Sequence, residues 1–244
     1  MKKRLHLLDA IRGFTLLNMI VFHGLWNLVY LFGVRADWYT GKTGYLWQQS
    51  ICWTFLLLSG FCWSFSRNHR KRGALVFGGG VAVTAVTCLL MPESRIVFGV
   101  LTCLGSCMLL LIPLEKIFCK VPSLWGLAIS FGLFVLLRNV NIGYLGFEGW
   151  VICPLPSVLY RNLLTAYLGF LNSGFYSADY FPLIPWFFLF VTGYFLYRTL
   201  EEWNLNQRLF ARGKIPVLNW LGRNSLPVYL LHQPVLYGLC LLLF

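Results

Sequence analysis

Seven runs of apolar residues, each near the length a helix needs to cross a bilayer, dominate this chain. They fall at 7–32, 45–66, 74–91, 96–113, 121–138, 183–200 and 225–244. A hydrocarbon core of about 30 Å takes about 20 helical residues. The runs therefore predict an all-α polytopic membrane protein, a bundle of about seven transmembrane helices. Composition agrees: 58% of the 244 residues are hydrophobic and 11% are charged, where soluble domains average about a quarter charged. The length fits a single domain over 1–244. The first run is too long for a cleavable signal, and no small-residue cleavage site follows it.

A net charge of +12 would suit a nucleic-acid partner, but its distribution does not. The basic residues flank the apolar runs, as topology signals do. Lys2, Lys3, Arg4 and Arg12; Arg67, Arg70, Lys71 and Arg72; Lys116 and Lys120; and Arg198, Arg208, Arg212, Lys214 and Arg223 fall on one side of a seven-span alternation. Arg35, Lys42, Arg95, Arg138 and Arg161 fall on the other. By the positive-inside rule the richer side is cytosolic. The N-terminus is then cytoplasmic and the C-terminus outside, with a bacterial inner membrane the expected location.

The eight cysteines include no CxxC pair, so no metal site is expected. Cys103 and Cys107 share a helix face suited to packing. Gly78, Gly79 and Gly80 suit close helix approach rather than phosphate binding, because neither a strand nor a Lys accompanies them. The segment 139–182 is long for a loop, aromatic and far from polar. It reads as a structured outer cap, with 157–171 an interfacial or re-entrant helix.

The first run carries charge where a span should not: Asp9, Arg12 and His23. Ionisable groups in a span are costly and mark function by default. The i,i+3 spacing of Asp9 and Arg12, and the eleven residues from Arg12 to His23, put all three near one helix face. At 1.5 Å per residue Arg12 lies about 8 Å above Leu7 and His23 about 24 Å above it. In the last run Ser225 is a plausible N-cap, and Pro234 interrupts the helix beside His232 and Gln233. Counting from Ser225 puts His232 about 10 Å deep, level with Asp9 and Arg12 and apart from His23. Asp179, ahead of the sixth run, is placed to contact an outer substrate or to cap that helix.

The blocks LDAIRGFTLLNMIVFH, FGVLTCLG, DYFPLIPWFFLFVTGY and LGRNSLPVYLLHQPVL resemble, in order, the catalytic domain of the heparan-alpha-glucosaminide N-acetyltransferase family and its short prokaryotic members. The first helix also resembles the wider transmembrane acyltransferases, whose glycan O-acyltransferases carry an Arg and a His with ten residues between them, the spacing of Arg12 and His23 here. Where larger family members carry a His after the first span this chain has Tyr39, and Thr102 replaces the usual His of the fourth-span block.

The resemblance implies transfer of an acetyl group from cytosolic acetyl-CoA to a sugar or glycan on the outer side, with His23 as general base. His can remove a proton near neutral pH, and an acetyl-His intermediate is the other route. Asp9 and Arg12 complete the expected catalytic set. Arg223, Asn224, Ser225, His232 and Gln233 are candidates for holding the donor, since Arg suits its phosphates. Asp179, Tyr180 and Trp186 are candidates for the acceptor. The expected partners are an acyl-CoA donor, a sugar or glycan acceptor and the lipid bilayer, and a homodimer is compatible with the sequence. Two other classes compete. One is a small transporter or flippase with the buried charges along a substrate path; the other is a non-catalytic membrane subunit.

Overall fold

The computed structural model describes residues 5–66, 68–210 and 214–243. Lys2, Lys3, Arg4, Arg67 and Arg212 of the charge alternation lie outside them. The helices are α1 (His6–Trp26), α2 (Asp37–Thr40), α3 (Lys42–Phe61), α4 (His69–Leu90), α5 (Val100–Phe118), α6 (Ser123–Leu136), α7 (Leu163–Leu168), α8 (Leu183–Glu202), α9 (Asn206–Phe210), α10 (Pro216–Arg223) and α11 (Ser225–Leu243). Strands β1 (Tyr144–Phe147) and β2 (Trp150–Pro154) form a hairpin.

Each of the seven apolar runs is occupied by a long helix. Among the described residues six segments are long and apolar enough to cross a membrane: His6–Leu31, His69–Leu90, Val100–Phe118, Ser123–Ile142, Leu183–Glu202 and Ser225–Leu243. The seventh long helix, α3, is less apolar because it carries Lys42, Gln48 and Gln49. Leu89, Leu90 and Leu242 are at least three-quarters exposed, as lipid-facing side chains of a membrane protein are. The protein is thus an integral membrane protein of nearly all-α architecture.

The chain divides into two compact units, Met1–Leu58 with Leu200–Phe244, and Ser59–Thr199. In the first, α1 is the spine. A Cβ on Gly13 would stand 1.9 Å from the Leu218 carbonyl oxygen, and one on Gly222 1.9 Å from that of Asp9. Only glycine at both positions lets the backbones of α1 and α10 touch. Asn219 locks the crossing: its Nδ2 donates to the His6 carbonyl at 2.6 Å and its Oδ1 accepts from the Ile215 amide at 2.7 Å. Ile51 of α3 packs with Leu16 and Met19 of α1. Beside them Trp47 Nε1 donates to Asn18 Oδ1 at 3.1 Å, and the Tyr39 hydroxyl donates to the Phe22 carbonyl at 3.0 Å.

In the second unit α8 is the most enclosed span, with Leu189 and Phe190 fully buried. In the glycine triplet a Cβ on Gly80 would lie 2.5 Å from the Thr102 amide nitrogen of α5, while one on Gly78 would meet nothing. Cys103 and Cys107 are buried in α5.

The cap departs from expectation in two ways. The single helix over 157–171 is replaced by a 3₁₀ turn at Ser157–Leu159 and the six-residue α7. At about 1.5 Å per residue α7 is far too short to span. Asn162 starts it with a capping box to Thr165, and Gly169, at φ +139°, ends it. The hairpin was not expected. Glu148 and Gly149 both take positive φ at its turn, the twist that two-residue hairpins favour.

Candidate functional site

α1 and α11 bring two histidines together. The ring centroids of His23 and His232 are 5.0 Å apart, with planes inclined at 56°. His23 is half-buried. His232 Nδ1 is bonded to the Tyr229 carbonyl. A carbonyl only accepts, so this contact assigns the proton to Nδ1 and leaves Nε2 as the basic nitrogen of the neutral ring. That Nε2 is buried without a hydrogen-bond partner among the described residues.

One turn beyond His23, the fully buried Asn27 accepts through Oδ1 from Gln233 Nε2 at 2.7 Å. Asn27 Nδ2 and Gln233 Oε1 are buried and unpaired among the described residues. Asn27 opens a π-helical turn, Asn27–Leu31, a feature frequent at functional sites. Pro234 follows Gln233 inside α11 and offers no amide proton to the turn before it.

This arrangement corrects the expected depth of His232. It lies beside His23 rather than with Asp9 and Arg12. The error came from starting α11 at the membrane edge. The preceding α10 already lies against the first two turns of α1, through Gly13 and Gly222, so Ser225 begins well above Leu7. Ser225 is also the first residue of α11 rather than its cap; the Asn224 carbonyl accepts from the Val228 amide at 3.1 Å.

Asp9 and Arg12 pair with each other, Oδ1 to NH1 3.6 Å. Arg12 NH1 also lies 3.4 Å from the Gly222 carbonyl oxygen. Their charges are tied into the α1–α10 crossing, about 17–21 Å along α1 from His23 at 1.5 Å per residue. Arg223 is exposed, and its Nε donates to the Asn219 carbonyl at 3.0 Å. Asn224 Nδ2 donates to the Trp220 carbonyl at 2.9 Å.

The three acceptor candidates belong to the second unit. Asp179 Oδ2 accepts from the Val100 amide at 3.3 Å and so caps α5 rather than the sixth span. Burial holds its carboxyl up at about 6, against the ordinary 3.8, with the Val100 hydrogen bond opposing. The segment around it is laid along 95–98 by the Ala178 amide on the Arg95 carbonyl (3.0 Å) and the Phe181 amide on the Phe98 carbonyl (2.9 Å). The Tyr180 hydroxyl donates to the Ala166 carbonyl, and burial raises its pKa. Trp186 is only 3% exposed and packs in the core under the Arg138 guanidinium, 5.2 Å from its ring centre.

Sequence reasoning missed Asn27, Tyr229 and the Arg138–Glu148 ion pair (3.5 Å). Asn27 had a legible signal, a polar residue four after His23 and hence on its face. The other two depended on contacts that no spacing reveals. Among the described residues no group of three or more His, Cys, Asp or Glu is placed to hold a metal.

A multi-span helical membrane protein with two facing histidines on separate spans is the class that fold and site define. Within that class, residues 4–234 match the family model described as "Heparan-alpha-glucosaminide N-acetyltransferase, catalytic". The chain belongs to that family, and is accordingly an integral membrane transferase. No curated protein and no solved structure matches it.

Proposed function

We propose that the protein moves an acetyl group from acetyl-CoA, supplied from the cytosol, to an amine or hydroxyl of a sugar or glycan on the outer side, with His23 as general base. The observation that carries this reading is the His23–His232 pair, two imidazoles on two apolar helices, one with an unpartnered basic nitrogen. Histidine is a common general base, and family membership supplies the acetyl chemistry. The match runs through both units, and residues 1–244 act on this reading as one transmembrane acyltransferase domain of a bacterial inner membrane, N-terminus inside.

His23 accepts the proton of the acceptor group as that group's nitrogen or oxygen attacks the thioester carbonyl. The carbon–sulfur bond breaks, and the proton passes to the departing sulfur to give free CoA. The His232 ring lies beside that of His23, with the Tyr229 contact holding its tautomer. The Asn27–Gln233 bond braces the two helices one turn away. Asp9 and Arg12 hold the α1–α10 crossing, while Arg223, at its exposed edge, is free to meet a donor phosphate from the basic side.

Two measurements on the detergent-solubilised protein test the reading. CoA should raise its melting temperature, because a ligand that binds only the folded state stabilises it. Labelled acetyl-CoA should acetylate at least one member of a panel of amino and neutral sugars. Absence of both would return the protein to the transporter reading.

A further inference from the structure

The helix α10 is covered on one face and bare on the other. Its inner face is locked to α1 through Gly222 and Asn219, both buried. Val217 and Trp220 are i,i+3 neighbours on the opposite face. Val217 is 69% exposed and Trp220 54%. Ile215, just ahead of the helix, is exposed as well. A fixed helix that turns a large aromatic and two branched aliphatic side chains outward calls for an apolar partner.

Position and charge say which partner. α10 lies against the first two turns of α1, the end of the span His6–Leu31. Asn224 alone separates it from the span of α11. At about 12 Å long it is too short to cross a bilayer, and it sits where two spans meet the bilayer edge. Between Trp203 and Asn224 the chain carries Arg208, Arg212, Lys214 and Arg223 and no acid. Lys214 and Arg223, at the two ends of the apolar stripe, are both exposed. Apolar residues with a Trp, bordered by cations, are the composition of a helix that lies in the interface of an anionic membrane. Trp suits that level because its ring is apolar and its N–H can reach water or a headgroup. A second copy docking by the same face would bring like charges together.

We propose that the outward face of α10 docks on the bilayer surface and binds anionic phospholipid: Ile215, Val217 and Trp220 enter the acyl-chain boundary, and Lys214 meets the headgroup phosphate. On the orientation proposed above, this is the inner leaflet. The inference does not depend on the acyl-CoA reading.

The test uses the full-length protein in phospholipid nanodiscs. Val217→Cys carries an environment-sensitive fluorophore, in a background lacking the exposed Cys88, Cys119 and Cys153. Melting temperatures establish that each protein is folded, and Ile215→Cys is the second labelling site should the first conjugate not fold. Aqueous iodide is compared as a quencher with phosphatidylcholine and phosphatidylglycerol, each spin-labelled near the top of the acyl chain. The expected result is a label screened from iodide, quenched by both lipids, and quenched by phosphatidylglycerol at the lower mole fraction. Lys214→Gln should reduce that preference about fivefold, the effect of one cation at an anionic surface. A label quenched by iodide and not by lipid would overturn the docking. Screening from both quenchers would mean that protein covers the face, and would overturn it as well. Equal quenching by the two lipids, or a preference that survives Lys214→Gln, would overturn the headgroup contact.

Discussion

Asp179 shows how one buried residue couples the cap to pH. Its carboxyl sits at about 6 in the fold against 3.8 ordinarily. Below the lower value it is protonated in both states and costs the fold nothing. As pH rises, the unfolded chain ionises first, so the group's contribution to stability is lost through about pH 6. Asp179→Asn retains an acceptor for the Val100 amide but cannot ionise. The melting temperature of the wild type minus that of Asp179→Asn should therefore fall between about pH 4 and about pH 7 and stay level above; a difference flat across that range would contradict the assignment. At the histidine pair, His232→Asn removes the ring that faces His23. Transfer should drop by about tenfold to a hundredfold without vanishing, since the base itself remains, and initial rates with labelled acetyl-CoA measure this.

Helix crossings through glycine carry the second scale. Gly222→Ala drives a methyl into the Asp9 carbonyl at the α1–α10 crossing, and should cost toward the upper end of about 1–3 kcal/mol, the range for overpacking. Gly78→Ala, with nothing near it, should be close to neutral, and thermal melts of the two variants compare them directly. The long helices were legible in the sequence because a span is a local property: twenty apolar residues announce themselves. What Ser225 sits beside was not local. Nothing in LGRNS reveals that α10 occupies the first turns of α1 and lifts α11, so His232 could not be placed by counting residues. The hairpin escaped for a related reason. YLGFEGWVICP lacks an Asn-Gly or Asp-Gly turn, and its register bulges between Leu145 and Gly146. Asp179 was identifiable as a cap, but its partner helix is 79 residues back in the chain.

For the whole molecule, the proposed orientation rests on charge asymmetry. Cys119 and Cys153 are both exposed, the first within the basic connection 114–120 and the second in the hairpin that the proposed orientation puts outside. In variants that keep one of them and lack the exposed Cys88, a membrane-impermeant maleimide added to intact cells should label Cys153, and should label Cys119 only after permeabilisation. The reverse pattern would invert the protein and place the acceptor side in the cytosol. Charge concentrated in alternate connections, a pair of histidines on two spans and membership of an acetyltransferase family together make transmembrane acetyl transfer the function to test. The deciding measurement is transfer of labelled acetyl from acetyl-CoA to the sugar panel by wild type and by His23→Ala, each shown to be folded by its melting temperature. A loss of roughly 10²–10⁴-fold in a folded His23→Ala is the result expected of a missing general base. Undiminished transfer in that variant would contradict the central claim.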